Sequence, residues 1–253
     1  MAKYGIGQAI TRREDERLLF GNGQFLDDIC LDGETFVWFV RSPHARARIL
    51  SIETEDARKM EGVLEIIVGR DMLQQGVGPL PVNTDLKRAD GESMTAPPNY
   101  PLAIDRVDYV GRAVAAVIAS SREEAQNAAE AIFVDYEELE AVVTIEGALA
   151  KNSPQIWDDA PGNIAAQNEI GDADACAKAL ASSKHVSRIK INNQRLVPVS
   201  METRGSIADY DPESDRLTLY TSCQNPAGLQ ATLAEVVLKI PKDKVRVKVG
   251  DVG

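Results

Sequence analysis

The stretch "AVAAVIASSREEAQNAAEAI", from Ala113 to Ile132, constrains the fold more than any other part of this 253-residue chain. Its first seven residues are a continuous apolar run of strand length. Ser121 and Glu124 then form the S-x-x-E signature of a helix start, where each side chain satisfies the other residue's backbone. Ala125, Ala128, Ala129 and Ile132 fall on one helical face and are small enough to press tightly against a sheet. "FVDYEEL" returns as a strand. An earlier unit repeats the order. "TFVWFV" from Thr35 is a strand by its β-branched and aromatic content, and "ARARIL" alternates small or apolar residues with Arg. "TEDARKM" carries a helix signal with Thr54 as N-cap and Gly62 as stop, and "VLEIIV" is again a strand. Two strand–helix–strand units predict a mixed layer of helix and sheet over roughly the first 140 residues.

The remaining segments are less regular. Residues 1–35 are polar and turn-rich, with "GNGQFLDD" reading as a loop or short hairpin. "GVGPLPVNTDLKRADGESMTAPPNYP" is too long for a plain connector, so it is a binding loop or a surface that another chain or domain covers. "AVVTIEGALAKNSPQIWDDAPGNI" reads as a linker that Trp157 anchors. Beyond it "DADACAKALASSKH" predicts a helix, "HVSRIKI" a strand, and "SIADYDPESDRLTLYTS" a hairpin turning at Asp211-Pro212-Glu213-Ser214-Asp215.

Composition excludes several classes. Apolar residues at 44% support a real core, and a net charge of −11 with 5% aromatics argues against nucleic-acid binding. Cys30, Cys176 and Cys223 lie far apart with no CxxC pair, and His44 and His185 are the only histidines, so neither a disulfide framework nor a metal triad is expected. No secretory leader opens the sequence, and no apolar run approaches a membrane span. The chain reads as cytoplasmic.

The segment with chemical content is "TSCQNPAGLQATLAEVVLKI". Asn225 suits an N-cap and Pro226 the first helical position. Leu229, Leu233, Val236, Val237 and Ile240 repeat as one buried helical face. Gln224 therefore stands between a strand end and a helix start, where free N–H groups favour an anion. From the pattern alone Gln224 reads first as a residue that satisfies backbone groups in the turn, and the pattern does not name a ligand.

"FVRSPHARARILSIETEDARKMEGVLEIIVGRDM" and "VDYVGRAVAAVIASSREEAQNAAEAIFVDYEELEAV" resemble the α/β-hammerhead domain of the molybdenum hydroxylase large subunits, the xanthine dehydrogenase, aldehyde oxidase and aerobic carbon monoxide dehydrogenase family. "NNQRLVPVSMETRGSIADYD" and "LTLYTSCQNPAGLQATLAEVVLKIPKDKVRVKVGDVG" resemble the start of that family's molybdopterin-binding region. The opening phrase "GIGQAITRREDERLLFGNGQFLDD" is similar to the carbon-monoxide-dehydrogenase-like branch. The resemblance implies an α+β fold: an N-terminal segment and hammerhead over residues 1–143, a linker over 144–163, and the first, incomplete part of a molybdopterin-binding domain over 164–253.

The same resemblance implies the site. Gln224 matches the glutamine that hydrogen-bonds the molybdenum centre, and Gly253 matches the first glycine of a loop along the cofactor. The family's glutamate base lies further on, so no catalytic residue is expected here and the isolated chain is expected to be inactive. The implied cofactor is molybdenum-molybdopterin, in its cytosine dinucleotide form. The implied partners are an iron–sulfur small subunit, an FAD-carrying medium subunit, and the remainder of the large subunit or a second polypeptide supplying it. The implied reaction hydroxylates a small-molecule carbon centre of aldehyde, heterocycle or carbon monoxide type with oxygen from water. A non-catalytic hammerhead interaction module is the alternative. Glu202 and Arg204 in "METRG" are read as an ion pair bracing the fold, His44 as a turn residue, and Cys223 as a small apolar side chain.

Overall fold

The hammerhead is built around β5 (Ala113–Ala119), whose wholly apolar sequence follows from its position as a central strand. In this computed structural model, which describes residues 7, 9–82, 84–194 and 196–252, the preceding elements are α1 (Glu14–Leu19), β1 (Phe36–Arg41), β2 (Ala47–Glu53), α2 (Glu55–Arg58), β3 (Val63–Val68), α3 (Gly69–Gln74) and β4 (Arg106–Val107). After β5 come α4 (Arg122–Glu130), β6 (Phe133–Glu138), α5 (Ile145–Ala148), α6 (Ala173–Ser182), β7 (Ser206–Asp211), β8 (Arg216–Thr221), α7 (Pro226–Ala231) and β9 (Val245–Lys248). The chain divides into two compact units that cut across linear order. One comprises Thr35–Val197 with Val236–Lys239; the other comprises Met1–Glu34, Pro198–Glu235 and Ile240–Gly253.

In the hammerhead unit β5 pairs antiparallel with both β1 and β3, from Phe36↔Ala119 to Arg41↔Ala113 on one side and from Val63↔Ala119 to Val68↔Ala115 on the other. A second antiparallel sheet has the order β4-β2-β6. Each strand–helix–strand unit starts in one sheet and ends in the other: β2–α2–β3 leads out of the second sheet, and β5–α4–β6 leads back into it. The helices thus join two sheets, and no parallel pair is needed within either.

Alanine lets α4 approach closely. Ala115, Val117, Ala128, Ala129 and Ile132 bury one another together with Ala57 and Ile66. A second cluster gathers Ala47, Ile49, Ala103, Val107 and Val114, and Val40, Ile52 and Val134 flank both clusters. The expected N-cap at α4 forms: the Ser121 hydroxyl accepts from the Glu124 N–H at 3.2 Å and donates to the Glu124 carboxylate at 2.9 Å. That carboxylate occupies the space where a Cβ on Gly62 would stand, and Gly62 has φ +78°, so only glycine fits there. Thr54 departs from expectation. It takes helical angles (φ −112°, ψ −8°) and caps nothing; its hydroxyl accepts from Arg58 Nε at 3.3 Å instead.

Residues 144–163 are tied down at several points. Asn163, at φ +59°, donates from Nδ2 to the carbonyls of Ala148 (3.0 Å) and Pro154 (3.1 Å) and accepts the Ile156 N–H at 2.8 Å. Arg46 donates to the carbonyls of Glu140 and Gln155 at 3.0 and 2.9 Å. The Arg106 guanidinium lies 3.7 Å from the Trp157 ring centroid, which makes Trp157 the anchor that its position suggested. The Gly/Pro-rich insertion joins this strap through the Thr95 hydroxyl, which donates to the Asp159 carbonyl at 2.8 Å, and its backbone pairs with Ala165 and Gln167 just beyond it.

Order of that kind ends abruptly. Every described residue from Gln167 to Met201 is exposed, including all of α6. The strand expected at "HVSRIKI" does not form, because no neighbouring strand supplies its ladder among the described residues. In the other unit β7 and β8 make the expected hairpin, Ser206↔Thr221 to Asp211↔Arg216, and β9 adds to β8 in parallel, Leu217↔Val245 to Tyr220↔Lys248.

Candidate functional site

The end of β8 and the start of α7 organise this region. Pro226 occupies the first turn, and the Asn225 side-chain oxygen accepts from the Gly228 N–H at 2.9 Å, so the expected N-cap is present. The helix itself is not the uniform one expected. After six α-helical residues it widens into π geometry over Thr232–Leu238 and stops at Lys239, which has φ +55°. The wider turn shifts the periodicity: Ala234 and Val237 are buried while Val236 stays 39% exposed, so the expected single face of five apolar residues is broken. Within its unit α7 is fixed on β9 by Gln230, whose side-chain nitrogen donates to the Val245 carbonyl at 2.6 Å.

Gln224 stands one residue before this cap, exposed, with its side-chain amide free of protein partners among the described residues. Cys223 beside it is half-buried. Gly253 lies outside the described residues. An open recess of about 260 Å³ is lined by Pro226, Ala227, Gln230, Arg246 and Val247. Gln224 is not among its lining residues.

The geometry holding the glycine turn after β9 was not foreseen. Asp251 receives two charge-assisted bonds from Arg17, Nη1 to Oδ2 at 2.6 Å and Nη2 to Oδ1 at 2.5 Å. The Gln24 N–H also donates to Asp251 Oδ2 at 2.7 Å, and the Asp251 N–H returns a bond to the Gln24 carbonyl at 3.1 Å. The Arg17 guanidinium, followed by the Gln24 amide, holds the Asp251 carboxyl down at about 2. Glu202 serves the same segment by accepting the Leu26 N–H at 3.1 Å. The charged run "RREDER" offers no spacing that points to Asp251, 234 residues away.

His44, read from the sequence as a turn residue, has several contacts. His44 packs edge-on to Tyr136 with ring centroids 4.8 Å apart, sets Nδ1 3.3 Å from Glu138, and donates its N–H to the buried Ser42 hydroxyl at 3.1 Å. Among the described residues no group of three or more His, Cys, Asp or Glu is arranged to ligate a metal ion. No helix among them is long and apolar enough to cross a membrane.

Comparison with known proteins completes the description. Residues 20–140 match the family described as "Aldehyde oxidase and xanthine dehydrogenase, a/b hammerhead domain", and residues 156–253 match "Molybdopterin cofactor-binding domain". The nicotine 6-hydroxylase large subunit of Paenarthrobacter nicotinovorans is 35% identical over 223 residues, covering 87% of this chain and 26% of that protein. The carbon monoxide dehydrogenase large chain of Afipia carboxidovorans is 28% identical, covering 98% and 31%. Quinoline 2-oxidoreductase from Pseudomonas putida 86 superposes with a TM-score of 0.86 at 34% identity, over 100% of this chain and 31% of that one. The chain spans about a third or less of the length of these relatives.

Proposed function

Because this chain belongs to the aldehyde oxidase and xanthine dehydrogenase family, we propose that it forms part of the molybdopterin-binding large subunit of an oxidoreductase that hydroxylates a carbon centre with oxygen drawn from water. The observation that carries this reading is Gln224. Its exposed amide has no protein partner among the described residues, and it stands at a strand end inside the stretch matching the cofactor-binding domain. The donor set fits hydrogen bonding to a bound cofactor better than direct ligation of a metal. A primary amide offers both donors and an acceptor, whereas no ligand cluster is gathered among the described residues.

When bound, the molybdenum cofactor supplies the two-electron oxidation. This chain's own contribution is positional. Gln224 would orient the reacting centre through its amide, the Asn225 cap fixes the backbone that presents it, and the Arg17–Asp251 clamp holds the segment that follows β9. The reading extends to a cytosine dinucleotide form of the cofactor, to iron–sulfur and FAD centres on partner subunits, and to a cytoplasmic enzyme acting on an aldehyde, a heterocycle or carbon monoxide. By itself the 253-residue chain would not turn over, since no catalytic base is assembled among the described residues. A subunit divided between two polypeptides is a second reading, supported by the run of exposed residues from Gln167 to Met201.

The test is Gln224→Ala in the assembled enzyme, read by molybdenum content and turnover together. Loss of one donor that acts on developing charge costs about 2.7–4 kcal/mol, roughly a hundredfold to a thousandfold in turnover. That loss is expected with metal content unchanged. Full turnover with full molybdenum would return Gln224 to a local role in the turn.

A further inference from the structure

The helical run that starts beside Gln224 ends on an acceptor that its own chain leaves open. In a regular α-helix the Val237 carbonyl takes the N–H of residue 241, but Pro241 has none. The Ile240 N–H is engaged elsewhere: it reaches back over Lys239, at φ +55°, to the Ala234 carbonyl at 2.9 Å. Val237 is 5% exposed, so water is a poor substitute donor. The Gly78 N–H takes that place, at 2.8 Å from the Val237 carbonyl.

The approach is built into the first residues of the Gly/Pro-rich insertion. α3 closes with two bonds, Gly76 N–H to the Leu73 carbonyl and Val77 N–H to the Met72 carbonyl, both at 3.0 Å, with Gly76 at φ +79°. This paired closure turns the chain and delivers Gly78 two residues later. There only glycine fits. A Cβ on Gly78 would stand 2.4 Å from the Val236 carbonyl oxygen, where ordinary contact begins at 3.4 Å. The obstacle is backbone, so a side chain is admitted only if the helix end or the loop moves by about 1 Å. Gly78 and Val236–Lys239 belong to the same compact unit.

From Pro226 to Leu238 the helical residues follow without a break, α-helical to Ala231 and in π geometry from Thr232. A rigid element of this kind carries a displacement of its last turn to its first. We infer that Gly78 is a positioning residue for Gln224, acting through this helix: it fixes the last turn, and the helix fixes the cap that presents the amide. The inference rests on the function proposed above.

The test is a double-mutant cycle in the assembled enzyme, Gly78→Ala with and without Gln224→Ala, read as kcat per bound molybdenum beside KM and metal content. A misplacement of about 1 Å costs on the order of a hundredfold in turnover. Gly78→Ala alone is therefore expected to lower kcat roughly tenfold to a hundredfold, with metal content kept and KM changed less than about threefold. In the Gln224→Ala background it should lower kcat by less than about twofold further, because the amide it positions is already gone. Ile66→Ala, which loosens the hammerhead core, should leave kcat per molybdenum unchanged. A second readout needs no cofactor: in the unsubstituted 253-residue chain the Gly78 amide should exchange roughly a hundredfold or more slowly than an unprotected one. Exchange at the unprotected rate overturns the inference whether or not the variants fold. So do unchanged turnover in Gly78→Ala, equal losses in both backgrounds, or a loss in Ile66→Ala that matches the loss in Gly78→Ala. Equal losses leave the role of Gln224 standing, whereas full turnover in Gln224→Ala alone removes that role and this inference with it.

Discussion

Residues 36–163 and residues 167–201 lie close together in sequence, yet they meet opposite fates. In the first, a core of apolar side chains finds partners within the segment, although Val37, Leu64 and Phe133 stay exposed: β5 is covered on both edges by strands and packed by α4, and the strap is closed by Asn163 and Trp157. In the second, Leu180, Ile189, Ile191, Leu196 and Val197 are each more than half exposed. The difference lies in neighbours. An alternating or apolar pattern specifies which face a strand would bury, but it forms a strand only where another strand completes the hydrogen bonds.

Substitutions should separate the two regions sharply. Ile66, 1% exposed in the hammerhead core, should be the most sensitive position: Ile66→Ala is expected to cost about 2–5 kcal/mol in chemical denaturation. A cost under 1 kcal/mol would mean that the hammerhead core is not the stabilising unit described.

The Arg17–Asp251 clamp tests order in the other unit. Asp251 titrates in the folded chain at about 2, below the ordinary carboxylate value of 3.8. The sign follows: the clamp contributes fully above about pH 4 and is lost as pH falls from there toward 2. Carboxyl titration by NMR should find Asp251 at the low value, and Arg17→Gln should raise it toward the ordinary range. In the same variant, amide exchange should quicken at Gln24 and Asp251. An unshifted Asp251 in the variant would remove the clamp from the account.

At the small end stands Ile189→Ala, expected to change the stability of the free chain by no more than about 0.5 kcal/mol, since nothing packs on the side chain. A larger loss would show that the exposed stretch is already partnered.

Much of the hammerhead was legible because its signals are local. The apolar run, the capping Ser121 and Glu124, and the small face of α4 each fall within a few residues of one another. The hairpin at Asp211–Asp215 and the cap at Asn225 were legible for the same reason. What escaped depends on distance or context. α1 lies in a charged run with no apolar periodicity, and its use appears only when Arg17 meets Asp251. The π widening after Ala231 leaves no mark in a sequence whose Leu and Val spacing suits an ordinary helix. At the candidate site, Gln224 could be named through family resemblance alone, because a single amide at a strand end carries no pattern of its own.

Limited trypsin digestion followed by mass spectrometry tests the contrast between the two regions most directly. The first cuts are expected after Lys184, Arg188 and Lys190, in the wholly exposed stretch, while a fragment spanning residues 36–163 persists, its strap residue Lys151 cut later. Early cleavage within residues 36–163, with the bonds after Lys184, Arg188 and Lys190 still intact, would contradict the account.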